Sequence, residues 1–185
     1  EPEPTVQSVN EASKALDRSR GPDLLISLGG GSVIDVAKCA NVVHMNGGSI
    51  LDYEDGIERP RSIKTLLPHI AIPTTAGTGS EATVWAVFID PKRRLKTAIQ
   101  DRRLVADVAI LDSDMTKTMP QKVAAATGID ALTHAIESYV SIHANTMTEF
   151  LSSQAIALAS KSLRRAVKSE SDEEARSNML LASMM

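Results

Sequence analysis

The stretch that decides the fold is DLLISLGGGSVIDVAK, residues Asp23 to Lys38. It begins with a short apolar run, Asp23 to Leu28, which is typical of a strand buried on both faces of a sheet. Three glycines follow, and from Ser32 to Val43 apolar residues recur at helical spacing. Strand, glycine turn and helix in immediate succession predict one step of an α/β fold.

The flanking segments continue this alternation as far as Met119. A helix is predicted at Val6 to Arg18, and further strands are predicted at PHIAIP (Pro68 to Pro73), in a hairpin of TVWAVFID and LKTAIQ around Asp90-Pro91-Lys92, and at DVAILD (Asp107 to Asp112). Beyond Pro120 there is no strand pattern and no glycine after Gly128. We therefore predict an α/β part, residues 1–119, followed by the start of an all-helical part, residues 120–185.

The composition excludes several classes of protein. The 185 residues are 43% hydrophobic and 23% charged with a net charge of −3, as in globular proteins, and the densest basic run is only Lys92 to Lys96. This balance gives no reason to expect nucleic acid or an anionic membrane as a partner. No apolar run approaches the roughly 18 residues of a membrane span. The single cysteine, Cys39, excludes an internal disulfide and predicts a buried thiol in a cytoplasmic protein.

The two ends predict that the chain is part of a longer protein. Glu1 stands where an initiator methionine would be expected, and the chain ends at NMLLASMM within a helical apolar pattern.

The glycine turn has two interpretations that the local sequence leaves open. A strand that ends in glycines at a helix start presents free backbone N–H groups and the positive end of the helix dipole, which suits a phosphate. Alternatively, Ser32 as N-cap with Asp35 three residues later fits a capping box that serves helix stability alone. The GxGxxG dinucleotide fingerprint is absent.

A second candidate site is the loop IPTTAGTGSEAT, which follows a predicted strand. It carries Thr74, Thr75, Thr78, Ser80 and Thr83 around two glycines. Ligands of open α/β folds bind at the ends of strands, where hydroxyls and backbone donors are available. Although an ordinary polar loop is the simpler interpretation, the density of hydroxyl groups favours a binding function.

The third candidate is the helix TGIDALTHAIESY, in which Asp130 and His134 are four residues apart. Residues i and i+4 share a helix face, and the opposite stripe of Ile129, Leu132, Ile136 and Tyr139 is predicted to be buried. A carboxylate with an imidazole suits Fe²⁺, Zn²⁺ or Mn²⁺. Such a pair alone is more often a surface pair. For His44, His69 and His143 we expect solvated or hydrogen-bonded side chains rather than metal ligands.

The three motifs together resemble the iron-dependent alcohol dehydrogenases. GGGSVIDVAK, PTTAGTGSEAT and MPQKVAAATGIDALTHAIESYVS occur in the order and spacing of that family, and the resemblance covers the chain from EPEPT to about SLRRAV. It implies an α/β Rossmann-like nucleotide-binding domain followed by an all-α domain, the architecture that these dehydrogenases share with dehydroquinate synthase, with the active site in the cleft between the domains.

The resemblance also implies roles for individual residues. Gly30, Gly31 and Ser32 would contact the pyrophosphate of NAD or NADP, with Asp35 close by. Met115 would contact the nucleotide from the strand before the helical domain, and the remaining cofactor residues would be Thr74, Thr75, Thr83, Trp85 and Lys96.

Asp130 and His134 match the first two metal ligands of the family, most often for Fe²⁺, with Zn²⁺ as the alternative. The resemblance implies two further histidine ligands in helices beyond Met185, and a first βαβ unit before Glu1. The fragment alone is therefore expected to bind metal weakly and to be inactive.

The implied reaction is reversible hydride transfer between a small alcohol and NAD(P)⁺, with the metal as Lewis acid at the substrate oxygen. A homodimer or larger homo-oligomer is expected for the full-length enzyme. Two alternatives are a dehydroquinate synthase-like lyase, which would need more basic residues for a phosphorylated substrate, and a non-catalytic nucleotide-binding fragment.

Overall fold

The computed structural model describes residues 3–18 and 21–185, which form two compact units. The first unit combines the chain up to Ile72 with Ser80–Ala109, and the second combines Pro73–Gly79 with Ile110–Met185. The segment Pro73–Gly79, the first part of the threonine-rich loop, therefore packs with helices that follow it much later in the sequence. The predicted domain boundary after residue 119 stays a prediction.

The first unit contains the strands and the first two helices. Its three-stranded sheet has the order β1–β2–β5, and β2 runs parallel to β5 with Ile70 opposite Val108. A separate antiparallel hairpin joins β3 and β4 and pairs Trp85 with Gln100. The elements are α1 (Val6–Arg18), β1 (Leu25–Gly29), α2 (Gly31–Asn46), β2 (His69–Pro73), β3 (Trp85–Asp90), β4 (Leu95–Gln100) and β5 (Val108–Ala109). The predicted elements are present, although the strand at DVAILD is shorter than predicted.

The core of the first unit lies between α1, α2 and the hairpin. Val9, Val42, Phe88 and Ile99 are completely buried there, and each such side chain contributes roughly 1.5–3 kcal/mol relative to an exposed one. Cys39 belongs to the same cluster, as predicted, and burial raises the pKa of its thiol well above the ordinary value. This core holds the second half of α2, from Cys39 onward, against the hairpin.

Strand β1 differs from its prediction. Its side chains alternate, so that Ser27 is buried whereas Ile26 and Leu28 are 58% and 56% exposed. The prediction of burial on both faces is therefore wrong for the chain described, in which β2 and α2 are the elements that contact β1. Apolar composition predicted the strand but not the number of layers that pack on it.

The second unit is helical, with α3 (Gln121–Val140), α4 (Thr146–Lys168) and α5 (Glu173–Met184). The buried face of α3 consists of small residues, Ala124, Gly128, Ala131 and Ala135. These let α3 approach its neighbours closely, since a Cβ on Gly128 would lie 3.3 Å from the methyl of Met179 and would also meet Leu163.

The predicted apolar stripe of α3 is consequently wrong. Ile129, Ile136 and Tyr139 are 54%, 46% and 49% exposed, and only Leu132 is packed against the core. Helical spacing identified two faces, and the face of alanines is the one that α4 and α5 cover. None of the helices in the described part of the chain is long and apolar enough to cross a membrane.

Candidate functional site

The glycine turn forms the start of α2 without a side-chain cap. Gly30 is the N-cap, with φ −75° and ψ −179°, and Gly31 is the first helical residue. Ser32 therefore lies one residue inside the helix, and the predicted capping box is wrong. A glycine N-cap has no side chain to accept from the first turn, and helix starts with glycine are suited to bind phosphate through backbone N–H groups.

A cleft of about 390 Å³ lies beside this helix start. Ser32, Val33 and Val36 of α2 form one side of it, and the lining continues with Glu3, Pro4, Gln7, Ser8 and Glu11. Lys96 reaches the same region, because its Nζ lies 3.2 Å from the Glu3 carboxylate in an exposed ion pair. Gly30, Gly31, Ser32 and Lys96 are thus all placed in the first unit.

Asp35 is used by the fold itself. Its carboxylate accepts hydrogen bonds from the Ser80 hydroxyl at 2.5 Å and from the backbone N–H of Val87 at 3.2 Å. Burial raises the pKa of Asp35 above its ordinary value, although these two bonds and the nearby Lys38 and Lys96 act in the opposite direction. Asp35 therefore connects α2 to the segment that carries Thr83 and Trp85.

Lys38 is a functional candidate that the sequence reasoning missed. Its side chain is only 2% exposed, and its Nζ donates to the carbonyl oxygens of Ser80, Thr83 and Trp85 at 2.5, 2.8 and 2.9 Å. The available signal was a lysine at a core position of an apolar helix, four residues after the fully buried Ile34. A lysine at such a position is buried only when it is paired.

The first part of the threonine loop, Pro73–Gly79, belongs to the second unit and contains Thr74 and Thr75, which are partly buried, whereas Ser80 and Thr83 belong to the first unit. Its glycines are packing residues. A Cβ on Gly77 would lie 2.8 Å from the Cβ of Thr127 on α3, and one on Gly79 would overlap the carbonyl oxygen of Ser183 on α5. Met115 is exposed and lies in a single 3₁₀ turn, Ser113–Thr116, rather than in the predicted strand.

Asp130 and His134 share an exposed face of α3. The Oδ1 atom of Asp130 lies 3.7 Å from Nε2 of His134, and both side chains are about half exposed. Two ligand atoms that each lie about 2.0–2.2 Å from one metal ion are roughly 3–3.5 Å apart, so the pair fits a first-row divalent ion after a small side-chain rotation. Within residues 3–18 and 21–185, no cluster of three or more His, Cys, Asp or Glu side chains is arranged to hold a metal.

The other histidines are placed as expected. His69 is buried with Nε2 2.8 Å from the Ser27 hydroxyl, and its backbone N–H donates to Asp107. His44 pairs with Asp17 at 2.6 Å, and His143 is exposed after the end of α3.

Comparison with known families identifies the origin of these features. The protein-family model described as "Iron-containing alcohol dehydrogenase" matches residues 1–113. The family model for the C-terminal domain of the Fe-containing alcohol dehydrogenase family matches residues 124–185. The chain belongs to the iron-containing alcohol dehydrogenase family. Residues 114–123 separate the two matches, and the glycine turn falls in the first match whereas the Asp130–His134 pair falls in the second.

Similar proteins cover the whole chain. Alcohol dehydrogenase 4 of Schizosaccharomyces pombe is 42% identical over 100% of this chain and 43% of its own length, and the probable alcohol dehydrogenase EutG of Escherichia coli is 46% identical over 99% and 45%. The crystal structure of sulfoacetaldehyde reductase from Bifidobacterium kashiwanohense in complex with NAD⁺ superimposes with a TM-score of 0.92 at 34% identity, covering 100% of this chain and 48% of that one. The chain thus spans less than half the length of these relatives.

Proposed function

We propose that this chain is the central part of an NAD(P)-dependent, metal-dependent oxidoreductase that interconverts a small alcohol and an aldehyde or ketone. The observation that carries the proposal is the Asp130–His134 pair, one carboxylate and one imidazole on a single face of α3, in a member of the iron-containing alcohol dehydrogenase family. Their donor atoms suit Fe²⁺ or Zn²⁺. When bound, such an ion supplies Lewis-acid polarisation of the substrate oxygen.

The first unit would hold the pyrophosphate of the cofactor at the start of α2. Gly30 and Gly31 let the ligand approach the backbone, and the uncapped N–H groups with the helix dipole attract its negative charge. Ser32 lies on the wall of the adjacent cleft, and Lys96 adds a positive charge near it. Thr83 and Trp85 would contact the nucleotide from the segment that Asp35 and Lys38 hold.

The second unit would contribute the remaining contacts. Thr74 and Thr75 offer hydroxyl donors at the end of β2, and the exposed thioether of Met115 offers an apolar contact. Asp130 and His134 would bind the metal through the side chains that already lie together on α3.

The proposal includes a cytoplasmic homo-oligomer that acts on small molecules. Exposed apolar side chains at the end of α3 and the start of α4, including Val140, Ile142, Met147 and Phe150, are the kind of surface that other protein segments cover. The net charge of −3 argues against a nucleic acid or anionic membrane partner.

Metal analysis combined with a coupled assay tests the proposal. The purified full-length protein should contain Fe²⁺ or Zn²⁺ and should oxidise NADH or NADPH in the presence of members of a panel of small aldehydes and ketones. Removal of the metal by a chelator should abolish the activity, and Fe²⁺ should restore it. Cofactor binding without any turnover on alcohols or aldehydes would instead support a non-catalytic nucleotide-binding protein.

A further inference from the structure

Two side chains of α2 reach the same segment of the first unit. Asp35 and Lys38 are three residues apart and so lie on one helix face. Asp35 accepts from Ser80 and Val87, and Lys38 donates to Ser80, Thr83 and Trp85. Every one of these partners lies between Ser80 and Val87. The contacts therefore cover the segment from its first residue to its last.

The chemistry of Lys38 matches its surroundings. An ammonium group has three N–H donors and no acceptor, and three backbone carbonyls at 2.5–2.9 Å surround it, with the Thr83 hydroxyl at 3.2 Å. Burial lowers the pKa of Lys38 to about 8, which leaves the amine protonated at neutral pH. A cation so enclosed has no donor left for a ligand, so Lys38 acts on the backbone.

The segment also has contacts outside α2, because the carbonyls of Glu81 and Val84 accept hydrogen bonds from backbone N–H groups of later residues, and its last three residues pair with β4. Ser80–Ala82 is a short 3₁₀ turn, and Thr83 and Val84 precede the first residue of β3. Two carbonyls that bind Lys38, those of Thr83 and Trp85, belong to residues expected to contact the cofactor. The glycine turn is at the start of the same helix, and Gly31, the first residue of α2, lies about two turns before Lys38.

We propose that Asp35 and Lys38 are positioning residues that together form a clamp, fixing the segment Ser80–Val87 on α2 and so setting Thr83 and Trp85 relative to the glycine turn. The functional half of this inference rests on the proposed nucleotide binding. The mechanical half does not, because it concerns only the order of the backbone from Ser80 to Val87.

Hydrogen exchange measured by mass spectrometry tests the clamp without any cofactor. Lys38→Met replaces the lysine with a side chain of similar length that has no hydrogen-bond donor. In this variant, peptides that cover 80–87 should exchange at least tenfold faster than in wild type. Peptides of α1 should keep their protection. Lys14→Met, which removes an exposed lysine from α1, is the matched control and should exchange like wild type. Unchanged exchange at 80–87 in Lys38→Met would overturn the clamp.

A milder variant keeps the test valid if Lys38→Met loosens the whole unit. Ser80→Ala removes the hydroxyl that donates to Asp35 and leaves Lys38 in place. Faster exchange confined to 80–87 in Ser80→Ala supports the clamp, and exchange equal to wild type overturns it.

Titration with NADH and NADPH separates this inference from the proposed function. If wild type binds either nucleotide, Lys38→Met should raise the Kd at least tenfold, whereas Lys14→Met should not change it. An unchanged Kd with faster exchange at 80–87 would overturn the positioning role. If wild type binds neither nucleotide, the proposed function fails, and the exchange data still decide whether the clamp exists.

Discussion

Gly79 packs directly against the backbone of Ser183, near the C-terminal end of α5. Gly79 has φ +60°, a backbone conformation that residues other than glycine rarely adopt. A Cβ at this position would overlap the Ser183 carbonyl oxygen. The contact brings the loop after β2 together with the last helix of the second unit. In this loop, the glycines that the sequence presents as a ligand-binding signature are also required by helix packing.

The first prediction follows from this contact. Gly79→Ala should lower the free energy of unfolding by on the order of 2–4 kcal/mol, because it combines backbone strain with a clash against a fixed carbonyl. Gly56 is the matched control, since it has φ +82° and open space around it. Gly56→Ala should cost only about 1 kcal/mol. Urea denaturation of both variants measures the difference, and equal losses would show that the contact with Ser183 is unimportant.

The second prediction concerns the metal pair. Asp130→Asn should weaken binding of Fe²⁺ or Zn²⁺ by at least about tenfold while the circular dichroism spectrum stays unchanged, because the carboxylate lies on the exposed face of a formed helix. Asp23→Asn removes the same charge from an exposed loop position and serves as control. Equal metal affinity in wild type and Asp130→Asn would exclude Asp130 as a ligand.

The sequence predicted the order of elements because local patterns determine them. The run from Asp23 to Val43 contains a strand, a turn and a helix whose apolar spacing and glycines act within a few residues of one another. Which face of a helix becomes buried depends instead on packing between elements, which the local sequence does not determine. On α3 the large side chains Ile129 and Ile136 suggested the core, but the alanines and Gly128 permit the closer contact with α4 and α5.

In the candidate site, too, some features were predictable from the sequence and others were not. Asp130 and His134 share a face because they are four residues apart, which the sequence states directly. Lys38 was missed because its partners, the carbonyls of residues more than forty positions away, carry no side-chain signal. Backbone acceptors of this kind become visible only once the chain is folded.

The third prediction concerns a buried carboxylate in the first unit. Glu54 accepts hydrogen bonds from Arg93 at 2.6 Å and from the Thr97 hydroxyl at 2.7 Å. Burial alone would raise the pKa of Glu54, but these bonds outweigh it and hold the pKa below its ordinary value. Its contribution to stability is therefore present above the unfolded pKa of about 4.3 and is lost as the pH falls through the lower folded value.

Thr97→Val should consequently cost about 1 kcal/mol at pH 7, since it removes one hydrogen bond to a charged group. The cost should shrink as the pH falls through the lowered pKa of Glu54, because the protonated carboxyl is a weaker acceptor. Thr133→Val is the control, because the Thr133 hydroxyl donates only to a carbonyl of its own helix at an exposed position. Thermal unfolding followed from pH 7 down through the acid range measures both effects, and a pH-independent cost would contradict the assignment.

The last prediction concerns His69. Burial, and to a smaller extent the charge of Lys38, lower the pKa of its imidazole to about 4, against an ordinary value of 6.5. Between pH 6.5 and pH 4 the unfolded chain binds a proton that the folded chain does not, so the free energy of unfolding falls as the pH is lowered through this window. A shift of this size corresponds to about 3 kcal/mol.

In His69→Gln, the loss of stability between pH 7 and pH 4 should be smaller than in wild type by roughly that amount, whatever the variant costs at pH 7. His143→Gln, at an exposed position, should keep the wild-type dependence. Urea denaturation across this pH range compares the three proteins, and parallel curves for wild type and His69→Gln would show that the buried imidazole does not control acid stability.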